Sequence, residues 1–218
     1  MTAPLERGAE LTLALPRGAL FGPCLDMLDR AGFDTSEPRG SSRALIFGLG
    51  ELTIVTVRPS DVPTYVEAGA ADLGITGKDV LFEQSDRTVY ELADLEFGRC
   101  RMVLAARAGS YQLAEAERRL GSMRIATKYP RTAEAYFEGV GRQAEVIEVK
   151  GSVELAPLVG LADGIVDLVD TGRTLADNGL EVVEEISVCT ARLVANRVAH
   201  KLRVDELDRM VEKLRAAA

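Results

Sequence analysis

Short apolar runs alternate along this chain with stretches whose apolar residues recur at helical spacing. Leu11 to Leu15 is a run closed by Pro16 and predicts a strand. Leu25 and Leu28 repeat at helical spacing between Leu20 and Arg30, and Gly32 closes that stretch. Ile54 to Val57 predicts a strand ending at Arg58-Pro59. Ser60 stands where an N-cap belongs for a helix over Asp61 to Ala68, with Pro63 in its first turn and Gly69 past its end. Leu73 to Thr76 predicts the next strand and Lys78 to Gln84 a helix. In the second half, Met102 to Ala106 and Arg124 to Thr127 predict strands, and Leu113 to Leu120 and Thr132 to Val140 predict helices. Val146 to Val149 and Ile165 to Val169 are β-branched runs of the kind buried strands carry. Leu193 to Ala195 ends a further strand region, and Val204, Leu207, Met210, Val211 and Leu214 form one face of a closing helix.

Alternation at this density predicts an α/β architecture with mainly parallel sheets. No short-period repeat, low-complexity segment or obvious linker interrupts it. If the chain forms two domains, it crosses between them on ordered segments near Ala93 and Thr174. Arg39-Gly40-Ser41-Ser42-Arg43 is the clearest flexible, basic loop.

Composition narrows the function. Of 218 residues, 47% are hydrophobic and 28% charged, which suits a soluble globular protein with a substantial core. Trp is absent, so Leu, Val, Ile and Ala must fill that core. The formal net charge of -8 argues against non-specific nucleic-acid binding, which depends on phosphate neutralisation. It does not argue against a phosphorylated ligand, because backbone N–H groups and a few local cations can hold one. Cys24, Cys100 and Cys189 are widely spaced in sequence and form neither a disulfide framework nor a zinc motif; each reads as a small apolar residue. His200 stands alone, which excludes a multi-histidine metal site within the chain and reads as a surface residue. The start lacks an apolar signal region and no stretch is long enough to span a bilayer, so the expected compartment is the cytoplasm.

The chemistry concentrates in Gly164-Ile165-Val166-Asp167-Leu168-Val169-Asp170-Thr171-Gly172-Arg173-Thr174-Leu175. An apolar strand runs into two carboxylates, then Thr-Gly-x-Thr, then a short helical segment closed by Asn178-Gly179. Open α/β sheets bind ligands at the carboxyl ends of their strands. Gly172 permits a backbone path that gathers N–H groups, and Thr171 and Thr174 add hydroxyl donors. That set fits a terminal phosphate monoester. Asp167 and Asp170 would repel a bare phosphate, but they suit a ligand that also offers a diol and Mg²⁺. The same residues also make an ordinary capped turn; the attached strand and acidic pair favour a sugar carrying both hydroxyls and phosphate, as in phosphoribosyl pyrophosphate (PRPP).

This segment resembles the PRPP loop of the ATP phosphoribosyltransferases. Five further stretches resemble the same family in the same order: Leu13-Ala14-Leu15-Pro16-Arg17-Gly18, Arg58 to Glu67, Ala71 to Asp79, Thr127-Lys128-Tyr129-Pro130 and Gly151 to Pro157. Together they cover about residues 11 to 197. The resemblance implies a two-domain α/β fold like that of type II periplasmic binding proteins, with the active site in the interdomain cleft. Domain I would be 1–94 plus 175–218, with domain II, 95–174, inserted. It implies the short form of the enzyme, whose partner is a regulatory subunit similar to histidyl-tRNA synthetase, in a hetero-octamer. The implied reaction joins ATP to PRPP at the start of histidine biosynthesis, with Mg²⁺ on the substrate phosphates and no metal site of the protein's own.

Roles follow by position. Asp167 and Asp170 would face the ribose hydroxyls, and Thr171, Gly172, Arg173 and Thr174 the 5′-phosphate. Glu154 either faces the ribose or is a solvated first-turn residue. Arg17, with the Gly18 backbone, would contact ATP or pyrophosphate. Arg58, Asp61 and Lys78 sit at strand ends that would line the other wall; Arg58 and Asp61 are assigned to ATP, and Lys78 joins Arg17 and Asp167 as catalytic. Asp61 alternatively caps its own helix. One departure stands out: the family usually has Arg after the first glycine, whereas this chain has Ala19, and Arg17, Arg39 or Arg43 would have to compensate. Two other readings remain at this point. One is a non-catalytic small-anion-binding module of the same fold, since fold does not decide function. The other is a transferase that uses PRPP with a different base.

Overall fold

The computed structural model describes residues 10–40, 43–109 and 111–218, and their backbone divides into two compact units. The chain begins with β1 (Leu11–Pro16), α1 (Phe21–Arg30), α2 (Ser36–Arg39), β2 (Ile46–Gly48), β3 (Leu52–Val57), α3 (Val62–Glu67), β4 (Leu73–Gly77), α4 (Lys78–Glu83) and β5 (Val89–Asp94). It continues through β6 (Cys100–Arg107), α5 (Gln112–Leu120), β7 (Met123–Thr127), α6 (Pro130–Gly139), β8 (Ala144–Glu148), α7 (Leu155–Leu158), β9 (Gly164–Val169), α8 (Arg173–Asp177) and β10 (Leu180–Cys189). It closes with β11 (Ala191–Asn196), α9 (Arg197–Leu202) and α10 (Val204–Arg215). The first unit joins the chain up to Gly98 with Thr190–Ala218; the second is Arg99–Cys189.

The first unit is built on a six-stranded sheet of order β2-β3-β1-β4-β11-β5. Its central strands are apolar at successive positions because both faces are covered. Leu13, Leu15, Ile54, Ile75 and Leu193 pack with Cys24, Leu25, Met27 and Leu28 of α1 and Leu207, Met210 and Leu214 of α10. Ala14, Val55 and Val194, one residue out of step, pack with Val62 and Val66 of α3 on the opposite face. Gly74 of β4 lets α3 come close: a Cβ there would lie 2.6 Å from Val62 Cγ1 and 2.7 Å from Val66 Cγ2.

The second unit carries a five-stranded sheet of order β10-β6-β9-β7-β8. One face packs Val103, Ala126, Ile165 and Val169 with Val153 and Ala156 at α7 and Leu175 of α8. The other packs Met102, Leu104, Ile125 and Val166 with Leu113 of α5 and Ala133 and Phe137 of α6.

Several expectations are corrected. The sheets are mixed rather than mainly parallel: β1–β3, β1–β4, β7–β8 and β7–β9 are parallel, while β2, β11, β6 and β10 pair antiparallel with their neighbours. The antiparallel strands include those on which the chain leaves and re-enters each unit. The inserted unit runs from Arg99 to Cys189 rather than from 95 to 174, because β10 adds to the β6 edge and carries residues 175–189 with it. Ser60 is not an N-cap; it lies inside a 3₁₀ turn, Pro59–Asp61, that leads into α3, and Asp61 makes no capping bond there. Strands β2, β5 and β10 were not expected. Cys100 and Cys189, remote in sequence, are register partners across β6 and β10; Cys189 is buried and Cys100 half-buried. Cys24 is buried, which pushes its thiol pKa far up. His200 packs edge-on to Tyr90, ring centroids 5.4 Å apart.

Candidate functional site

In the second unit, β9 delivers Asp167 on the face that packs against α7 and α8, in step with Ile165 and Val169. Asp167 is only 9% exposed. Burial pushes its carboxyl pKa up; the Leu168 N–H, 2.9 Å from Oδ1, and the Lys128 charge act against that, and Glu154 acts with it. The strand ends at Val169 and the chain turns through Asp170 and Thr171, both exposed. Gly172 then takes left-handed angles, φ 80° and ψ 0°, which an L side chain tolerates poorly. A left-handed residue followed by helical Arg173 sets successive N–H groups facing one side, a concavity suited to an anion. Arg173 N–H also reaches Thr171 Oγ1 at 3.4 Å. Helix α8 is a single turn, so its dipole adds little; Asn178 ends it by donating from Nδ2 to Thr174 O at 2.8 Å.

A cavity of about 250 Å³ lies against this turn, lined by Glu154, Asp167, Asp170, Thr171, Gly172 and Thr174 among others. The structure therefore brings together every residue that the sequence assigned to the sugar phosphate, Arg173 included. Glu154 stands at the N-cap of α7, half-buried, and makes no capping bond.

Thr127, the last residue of the neighbouring strand β7, and Lys128 just past it have no role in the sequence reading. Thr127 is fully buried at the end of β7; its hydroxyl donates to Val166 O at 2.6 Å and accepts from the Tyr129 N–H at 2.9 Å. This ties the turn carrying Lys128 to β9. A strand ending in Thr-Lys ahead of a helix-starting proline was the available signal.

The remaining candidates lie on the first unit, at one end of its sheet. Arg17 and Gly18 follow β1, Arg58 follows β3 and Lys78 follows β4, and these three strands are parallel neighbours. Arg17 donates from Nε to Thr56 Oγ1 at 3.1 Å and from a terminal nitrogen to Ala44 O at 3.2 Å. Lys78 is ion-paired with Glu91 at 2.6 Å and lies over the Phe82 ring. Arg58 and Asp61 are exposed. Gly18 has φ 92°, and Ala19 beside it is exposed. Arg39 is held by Asp26 and Asp29 at 2.7 and 2.6 Å, so it is not available to replace a guanidinium at Ala19, while Arg43 is exposed. Ser41 and Ser42 of the basic loop lie outside the described residues.

Two α/β units with mixed sheets, the second inserted into the first, define the fold class of the type II periplasmic binding proteins and the enzymes built like them. The aliphatic sulphonate binding protein SsuA of Escherichia coli superposes with a TM-score of 0.63 over 96% of this chain and 72% of its own, and at 13% identity that likeness speaks for fold alone. Residues 58–216 match the family HisG, ATP phosphoribosyltransferase. The ATP phosphoribosyltransferase of Rubrobacter xylanophilus is 54% identical over 90% of this chain and 91% of its own. The ATP phosphoribosyl transferase (HisG:HisZ) complex of Thermotoga maritima contains a chain 37% identical, with a TM-score of 0.78, covering 95% of this chain and 98% of that one. This chain belongs to the ATP phosphoribosyltransferase family.

Proposed function

We infer that this chain transfers the phosphoribosyl group of PRPP to N1 of the adenine of ATP. The observation that carries the reading is the buried Asp167 facing Glu154 above the left-handed turn at Gly172, in a chain of this family. Family membership favours the enzyme over a module that only binds an anion, and ATP as acceptor over another base.

The chemistry asks for no protein nucleophile. N1 attacks the anomeric carbon, the bond from that carbon to the pyrophosphate oxygen breaks, and configuration inverts. Catalysis comes from aligning two anionic substrates and stabilising the departing charge. Asp167, with Asp170 and Glu154, accepts hydrogen bonds from the ribose hydroxyls; the 171–174 turn holds the 5′-phosphate. On the first unit, Arg17, Arg58 and Lys78 supply positive charge for ATP and the leaving group, Lys78 by exchanging Glu91 for substrate. Gly18 offers its N–H, and Asp61 lies beside Arg58 to orient ATP. The donors beside the turn are hard oxygen groups, which suit Mg²⁺ held mainly by substrate phosphates through one or two carboxylates. Mg²⁺ would supply charge shielding of the phosphates.

By analogy with the HisG:HisZ relative, the chain works with a HisZ-type regulatory subunit, in the cytoplasm. Among the described residues no helix is long and apolar enough to cross a membrane. The test is an absorbance assay for the N1-ribosylated adenine with ATP and PRPP, with and without a synthetase-like subunit. Turnover that requires or strongly increases with that subunit is expected; no product in its presence would overturn the reading. A second expected result is that Ala19→Arg lowers the KM for ATP; unchanged ATP kinetics would show that another cation, such as Arg43, already serves there.

A further inference from the structure

We propose that Lys128 is a further substrate-binding residue of this site, donating from its ammonium to the pyrophosphate carried on C1 of the sugar. The inference rests on the reading that the 170–174 turn holds PRPP by its 5′-phosphate, and three observations carry it.

The first is register. Ile125, Ala126 and Thr127 of β7 pair in parallel with Gly164, Ile165 and Val166 of β9. The ladder ends there, with Lys128 the next residue after Thr127 and Asp167 the next after Val166. Ala126 shares a face with Ile165 and Asp167, and Lys128, the first residue past the end of β7, acts by its charge on Asp167 of that face. The second is fixation. The buried Thr127 hydroxyl bonds both Val166 O and the Tyr129 N–H, which holds the Lys128 turn against β9. The Lys128 charge also reaches Asp167, where it opposes the effect of burial on that carboxyl.

The third is direction. Helix α8 leaves the phosphate turn toward β10, against which it packs, whereas β7 lies on the other side of β9. The phosphate turn and Lys128 therefore flank Asp167 from opposite sides. A ribose held by its hydroxyls on Asp167, with its 5′-phosphate in the turn, directs C1 toward β7. Lys128 is exposed, and among the described residues no hydrogen bond or ion pair holds its ammonium. Glu154, Asp167 and Asp170 make this pocket acidic. Arg173, the cation of the turn itself, lies 3.6 Å from Asp177. A highly charged leaving group needs a cation at the C1 end, and Lys128 is placed to be one.

Calorimetric titration of the full chain, with Mg²⁺ present, separates the outcomes. The ligands are PRPP, inorganic pyrophosphate and ribose 5-phosphate. The proteins are wild type, Lys128→Met, Lys128→Arg and the double variant Asp167→Ala/Thr174→Ala. Lys128→Met should weaken PRPP and pyrophosphate by about tenfold or more, the effect of one charge-assisted contact. It should leave ribose 5-phosphate essentially unchanged, and Lys128→Arg should retain most of the affinity. Unchanged PRPP affinity in Lys128→Met, with binding lost in the double variant, overturns this proposal alone. Equal weakening of PRPP and ribose 5-phosphate also overturns it, because a contact to the pyrophosphate cannot affect a ligand that lacks one. PRPP affinity unaffected in the double variant overturns the underlying site, and this proposal with it.

Discussion

Asp167→Asn is expected to cost most of the activity and yet to stabilise the protein without ligand at neutral pH. The carboxyl is buried, and burial holds its pKa above the ordinary carboxylate range in the folded state. A group whose folded pKa is raised contributes stability below its unfolded pKa, about 4 for Asp, and loses that contribution as pH rises through the folded value. At pH 7 the ionised side chain is therefore a burden on the fold. Asn has nearly the same shape and no charge. Urea unfolding should place the midpoint of Asp167→Asn above wild type at pH 7, with the gap closing on acidification. Binding should move the other way, because an amide oxygen replaces a carboxylate as acceptor for sugar hydroxyls. A charged hydrogen bond contributes about 1.5–3 kcal/mol, so kcat/KM should fall by roughly tenfold to more than a hundredfold. Wild-type PRPP affinity should weaken on acidification at a higher pH than an ordinary carboxylate would allow. An Asn variant that is less stable at pH 7 would mean the carboxylate is needed by the fold rather than held for a ligand.

Gly74→Ala is expected to cost about 1–3 kcal/mol of stability, the usual range for overpacking a filled core. The new methyl would press on Val62 Cγ1 and Val66 Cγ2 from one side and meet Val194 Cγ2 at 3.4 Å from the other. Val62, Val66 and Val194 are fully buried, and their β-branched side chains have little rotamer freedom with which to retreat. Helix α3 must then lift from the sheet. A thermal melt checks this, and a Tm within a degree of wild type would show that α3 shifts without cost.

Much of this was legible in the chain. Strands buried on both faces announce themselves by short apolar runs at their centres, such as Leu13-Ala14-Leu15 of β1, Ile54-Val55 of β3 and Ile165-Val166 of β9. The Asp167-to-Thr174 turn was readable because a strand, two acids and a glycine between threonines are local. What escaped was set by distance. Strand β10 carries Glu181, Glu184 and Glu185 and two register irregularities against β6, so no period of two survives along it. As an edge strand it needs only one neighbour, and that neighbour is remote in sequence. The boundary of the inserted unit was misplaced for the same reason. Gly74 reads as a poor strand residue until α3 is laid across it. Lys128 gains meaning only when β7 lies beside β9.

The path of β11 has a consequence for synthesis. This strand lies between β4 and β5, so the sheet of the first unit has a gap until a segment made after the inserted unit arrives. All five strands of the inserted unit are complete at Cys189. On the ribosome the inserted unit can therefore finish folding while the segment before it still waits with β4 and β5 unjoined. A stalled nascent chain released at about residue 189 should resist protease across residues 99–189 and be cut readily within residues 10–98.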